Sequence, residues 1–225
     1  FGQTHGNLPG MPPKRPSVAG AAIRPLALTP AGVWTAGLGF AMRVPGTTDE
    51  LFVSCLHILG PAGGLPAATT PEALFAGGAP LVDAYDDAPL CQATRVLPIP
   101  GADTATPWRD LYALHLPEDH GCHLYDHRRE PVAVGEPVFI AAPPRAEGPL
   151  EQRATITGVA GRVFGLALDT PQTSPRGWSG AAVLDRRARF VGMLSRGGAG
   201  RASAIQAGAV RALLRKALRE AAERG

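Results

Sequence analysis

Only three cysteines, Cys55, Cys91 and Cys122, occur in 225 residues. No disulfide framework can therefore hold the chain together: at most one pair closes and one thiol is left over. That count favours a reducing compartment, and a cytoplasmic location is the expectation. Charge is sparse as well, with 18% charged residues and a net +3. No basic cluster is interleaved with aromatics, which argues against a nucleic-acid partner. No apolar run approaches the roughly 20 residues that span a bilayer, so a soluble chain without a transmembrane segment is expected. Histidine is confined to the first part of the chain: all six, His5, His57, His115, His120, His123 and His127, precede Arg128.

Glycine and proline, by contrast, are abundant at 28 and 23 residues. With 45% hydrophobic residues broken into short runs, they predict many strands joined by many turns, an all-β chain. Residues 1–18 carry glycine, proline and charge without apolar periodicity and read as an arm or linker. Strand-like runs follow at 22–28, 33–42, 50–55, 80–85, 91–97 and 108–116, with one short helical possibility at 71–75. Residues 119–131 are polar and histidine-rich and read as a connector. The strand pattern resumes at 137–141, 154–159, 163–168, 181–184, 190–195 and 202–205. Two sets of six short strands predict two six-stranded antiparallel β-barrels, over 19–118 and 132–206, packed side by side. Residues 207–225 differ in kind. Val210, Leu213, Leu214, Ala217 and Leu218 recur at helical spacing, which predicts a C-terminal α-helix docked on the second barrel.

The stretch Gly177-Trp178-Ser179-Gly180 sets a serine between glycines just before an apolar run. Such glycines allow a tight turn whose N–H groups can point at a carbonyl while the hydroxyl stands clear. A serine nucleophile needs a base, and the base an orienting carboxylate. Because no histidine follows Ser179, the serine–acid–histidine order of the α/β-hydrolases is excluded, and Ala181 stands where their elbow has glycine. A subtilisin-like order needs an acid well before the histidine, and only Asp49 precedes His57 closely. The order that remains is His, Asp, Ser. His57 follows the apolar run Leu51-Phe52-Val53-Ser54-Cys55-Leu56 at a strand end, and Asp110 heads Leu111-Tyr112-Ala113-Leu114. A carboxylate at the edge of a buried strand is costly unless hydrogen-bonded, and the imidazole N–H of His57 would satisfy it.

Over roughly residues 20–215 the chain resembles the chymotrypsin-like (trypsin-fold) serine proteases, particularly compact bacterial members such as the HtrA-like proteases. The resemblance is carried by the runs ending at His57, beginning at Asp110 and surrounding Ser179, and by Gly192-Met193-Leu194-Ser195-Arg196-Gly197. It implies a serine endopeptidase without cofactor or metal, acting on protein or peptide. Ser179 would be the nucleophile, His57 the base and Asp110 its orienting acid, with the N–H groups of Gly177 and Ser179 as the oxyanion hole. Ser195 would bond the triad aspartate and Gly197 would pair with the substrate main chain. Trp178 replaces the aspartate that captures a new N-terminus in family members activated by proteolysis, so no such switch is expected. Thr173, with Ser174 beside it, stands where a trypsin-like pocket would hold an aspartate, which implies a small or uncharged P1 residue. Arg176 and Arg196, near the expected cleft, would favour acidic groups on the substrate. Two other readings compete. The same barrels could form a catalytically silent binding module, and His120, Cys122, His123 or His127 could hold a structural zinc ion in the connector, where Cys91 and Cys122 could instead form a disulfide.

Overall fold

In the computed structural model, residues 20–143, 152–170 and 176–224 are described. The arm expected at 1–18 lies outside them. The first half contains β1 (Ile23–Thr29), β2 (Gly32–Thr35), β3 (Gly39–Arg43), β4 (Glu50–Ser54), 3-10 turns at Leu56–Leu59 and Pro61–Gly63, and helix α1 (Pro71–Leu74). It continues with β5 (Ala79–Asp83), β6 (Pro89–Ala93), β7 (Arg95–Leu97), a 3-10 turn at Pro107–Arg109 and β8 (Tyr112–His115). The second half holds β9 (Pro137–Ile140), β10 (Gln152–Ala160), β11 (Val163–Leu168), β12 (Ala182–Leu184), β13 (Phe190–Gly198), β14 (Arg201–Gln206) and helix α2 (Ala207–Arg224).

The second half closes into a six-stranded antiparallel barrel in the order β10-β11-β14-β13-β12-β9, with β9 pairing back to β10. Closure pairs each strand on both sides, and the far end of β13, which runs past the three-residue β12, keeps an open edge. Its inward positions read directly from the alternation along β11, where Phe164, Leu166 and Leu168 are buried and the residues between them are half-exposed.

The first half is an eight-stranded sheet in the order β6-β5-β1-β3-β4-β8-β7, with β2 added to β1. Eight strands arise from the six expected runs because two of those runs break. The run 33–42 is interrupted at Gly37, whose φ of +62° ends β2 and lets β3 start in a new direction. The run 91–97 is interrupted at Thr94, so β6 and β7 are successive pieces of one bent strand. These two pieces are also the opposite ends of the sheet. The bend at Thr94 thus carries the chain from one edge of the sheet to the other and curls the sheet into a barrel. The short helix expected near residue 71 is present as α1, and the Thr70 side chain accepts from Ala73 N–H at its start.

Between the halves, the connector lies along both lobes rather than looping free. Tyr125 donates to Ala21 O, Leu124 bridges to Ala41 in the first lobe, and His127 bridges to Phe190 in the second. Helix α2 was expected on the second barrel; it packs on β13 and β14 and also on β7 and the Pro107–Arg109 turn of the first. Its stripe of Val210, Leu213, Leu214 and Ala217 is buried in the same hydrophobic cluster as Phe40, Phe52 and Tyr112. The helix therefore spans the seam between lobes, and Arg215 Nε fastens it further by donating to Pro45 O at 3.0 Å. Among the described residues no helix is long and apolar enough to cross a membrane.

Leu214 is fully buried, so Leu214→Ala should cost about 2–5 kcal/mol through lost burial and an unfilled cavity. Thermal unfolding followed by circular dichroism should show the midpoint falling by roughly 5–15 °C. Arg219→Ala, on the exposed face of the same helix, should move it by no more than about 2 °C.

Candidate active site

Asp110 sits where the Pro107–Arg109 turn hands over to β8, and its side chain is fully excluded from solvent. A carboxylate in that position must be met by donors, and three meet it. Its Oδ1 accepts from the backbone N–H of His57 at 2.8 Å, one of the free N–H groups at the start of the 3-10 turn after β4. Its Oδ2 accepts from His57 Nδ1 at 2.6 Å and from Ser195 Oγ at 3.3 Å. An ionised carboxylate only accepts, so Nδ1 carries the proton and Nε2 is left with its lone pair. That lone pair faces Ser179 Oγ at 3.0 Å. The single hydroxyl hydrogen of Ser179 has two acceptors in reach, His57 Nε2 and, at 3.2 Å, Ser195 O.

The ring and the carboxylate come from the first lobe, while Ser179 and Ser195 come from the second. Ser195 can serve both partners because of a local irregularity. The β13–β14 register shifts between Leu194 and Arg196, leaving Ser195 outside the regular pairing. Its hydroxyl is thereby free for Asp110 and its carbonyl for Ser179.

The turn bearing Ser179 is gripped on both sides. Leu38 N–H donates to Ser179 O at 2.8 Å from the first lobe, and Gly180 N–H donates to Leu194 O at 2.7 Å within the second. The approach is close enough that a Cβ at Gly180 would lie 1.8 Å from Leu38 O and 2.5 Å from Ser54 Oγ, and φ there is +93°. No residue but glycine fits. At Gly177 the space is open and only the φ of +82° calls for glycine. The N–H groups of Gly177 and Ser179 have no hydrogen-bond acceptor among the described residues. Trp178, between them, is buried in the core of the second barrel and anchors the turn from below.

The other expected site residues divide. Gly197 lies on the exposed end of β13, paired to Ala202. Arg196 sends its guanidinium to Thr104 O, a bond across the lobes, so its charge is directed at a first-lobe loop. Arg176 lines a cavity of about 380 Å³ together with Arg24, Gly37 and Trp178. Arg24 in turn is held by Asp87 at 2.7 Å and by Ala84 O. Thr173 and Ser174 lie outside the described residues. A larger cavity, about 530 Å³, opens beside His57 between Leu59, Leu97, Ile99 and Tyr112.

Two features of the site carry no signal in the motif. Cys55 lies within 4.8 Å of the His57 and Asp110 donor atoms and is fully buried. Burial first, and then the charge of Asp110, push its thiol well above the ordinary range. It therefore stays neutral and donates to Leu194 O at 3.2 Å. Two residues before Asp110, the Trp108 ring is met by Arg109 at 4.6 Å and by Arg162 of the second lobe at 3.9 Å, and the latter contact joins the lobes. The zinc reading of the connector finds no shared centre. His120 Nε2 lies 2.7 Å from Glu50 and its Nδ1 accepts from Cys122 N–H, while His123 packs edge-on against Tyr125. Among the described residues, Cys55, His57 and Asp110 form the one group of three that could hold a metal ion.

No family model and no curated protein matches the sequence. Solved structures do. The chain is similar to the active form of the Rv3671c protease from M. tuberculosis, at 17% identity and a TM-score of 0.57 over 89% of this chain and 82% of that one. It is also similar to the serine endoprotease from Yersinia pestis, at 16% identity and a TM-score of 0.61 over 91% of this chain and 65% of that one. The likeness is one of fold, and together with the closed second barrel it establishes that this chain has the two-barrel trypsin fold.

Proposed function

We propose that the protein is a serine endopeptidase, a reading carried by the hydrogen-bonded chain from Asp110 through His57 to Ser179. In this reading Ser179 Oγ attacks the scissile carbonyl as its proton passes to His57 Nε2. Asp110 holds the ring in the tautomer that leaves Nε2 free and stabilises the imidazolium that forms. The N–H groups of Gly177 and Ser179 receive the oxyanion, which removes a large part of the barrier because they are already oriented when charge develops. The leaving amine takes the proton back from Nε2, and water then repeats the sequence on the acyl-enzyme. The open end of β13 around Gly197 offers main-chain groups to an extended substrate. The resemblance gives Thr173 the sequence position of the aspartate in a trypsin-like pocket, and on that reading the substrate side chain before the scissile bond is small or uncharged. Substrates are proteins or peptides; the fold shared with the M. tuberculosis and Yersinia proteases supports that class.

Ser179→Ala should lower kcat by about 10⁴-fold or more on a cleavable peptide. Wild-type protein should be labelled at Ser179 by a fluorophosphonate probe, and the variant should not. Unchanged turnover in the variant, or a wild-type protein that neither cleaves peptides nor takes the probe, would overturn the proposal in favour of a binding module. Ser195→Ala removes one charge-assisted hydrogen bond to Asp110 and should lower kcat/KM about tenfold without abolishing labelling. As a positioning residue it should also change the pH profile of kcat/KM, and Ser195→Thr should restore part of the activity.

A further inference from the structure

Away from the site, two thiols that it does not use face one another. Cys91 Sγ on β6 and Cys122 Sγ in the connector are 3.9 Å apart. The backbone fixes that distance. The preceding residues are hydrogen-bonded, Gly121 N–H to Leu90 O at 3.3 Å, so the connector runs alongside β6. On its other side the connector is pressed against Gly20, where a Cβ would lie 2.6 Å from Gly121 O and 2.8 Å from Cys122 Cα. His123 N–H donates to Gly20 O and Cys122 N–H to His120 Nδ1. Cys122 thus has little freedom to leave Cys91. A disulfide needs sulfurs about 2.05 Å apart, and the remaining gap of roughly 2 Å is within the reach of side-chain rotation.

We propose that Cys91 and Cys122 are a disulfide-forming pair, closed by a small-molecule disulfide such as oxidised glutathione. The two thiols have different parts. Cys91 is half-exposed, and the hydrogen bond from the Cys122 thiol favours its thiolate, so it attacks first. One sulfur of the oxidant bonds to Cys91 and the other leaves as a thiolate. Cys122, buried behind it, then loses its proton and attacks the Cys91 sulfur, expelling the second small thiol. The protein gives up two electrons and two hydrogens, and one molecule of oxidant becomes two thiols. Cys55 takes no part, being buried against Leu194 O. The bond closes a loop between residues 31 apart. It ties the connector, the start of β1 and the β5–β6 hairpin into one unit.

The inference is independent of the proposed peptidase activity and is read without it. The full chain is reduced, desalted, incubated natively with oxidised glutathione, acid-quenched, unfolded and alkylated. One alkylatable thiol should remain of three, with a Cys91–Cys122 cross-linked peptide in the digest. The thermal midpoint of the oxidised protein should rise by about 5 °C or more. Closure should be at least about tenfold faster in the native protein than in guanidinium, where proximity is lost. Cys122→Ser should stop at a glutathione adduct on Cys91. Three free thiols after native incubation, an adduct on Cys91 that never resolves in the wild type, or equal rates in native and unfolded protein would each overturn the proposal. Cys55→Ser tests the same point from the other side, and its cross-link should form unchanged.

Discussion

A carboxylate sealed from water is the constraint on which this structure turns. Asp110 is fully buried, and an unpaired charge there would cost several kcal/mol. Three donors answer it from two residues: the backbone and the ring of His57 in the turn after β4, and the hydroxyl of Ser195 in the second barrel. The last of these means that the charge is satisfied in full only when the two lobes are together. The groups that would carry catalysis are therefore also part of what fixes the lobes in register. A change that loosened one lobe against the other would take from the buried carboxylate one of its three donors and leave it the two from His57.

The same economy appears at the serine turn. Leu38 O lies so near Gly180 that no side chain fits, and Leu38 N–H is spent on Ser179 O. Both groups belong to the short segment that follows the break at Gly37. Glycine at 37 and at 180 thus serves one contact from its two sides, and buried Trp178 holds the turn against the core beneath. Rigidity here is supplied by packing and backbone bonds rather than by covalent links, as the proposed mechanism would require of a turn that presents N–H groups without rearrangement.

Much of this was legible in the residues. Short apolar runs separated by glycine and proline report strands faithfully because a strand needs only local alternation or local burial, and the six runs of the second half each became one strand. Runs 33–42 and 91–97 misled because apolar character continues through Gly37 and Thr94 while the backbone turns there. The strand-end positions of His57 and Asp110 were legible because strand ends are where loops deliver side chains into a cleft. The bulge that frees Ser195 was not, since a register shift is a property of two strands and leaves no mark on one. The partner of Arg196 and the neutral thiol of Cys55 beside the site are long-range contacts of the same kind, whereas Cys91 and Cys122, named from the sequence as a pair that could close, do meet. The helical stripe of 207–225 showed that a face would be buried, but not that the surface beneath it belongs to both lobes.

That last feature bears on how the chain reaches its native state. The surface under α2 is made jointly by β7, the Pro107–Arg109 turn, β13 and β14, so it does not exist until both barrels have formed and met. The helix follows all of them in the sequence and has nowhere complete to dock until they are assembled. Docked across the seam, α2 thus joins the two lobes, and its full contact surface is present only when they are mated. Hydrogen exchange along α2 would consequently report the cohesion of the whole molecule rather than the strength of one helix.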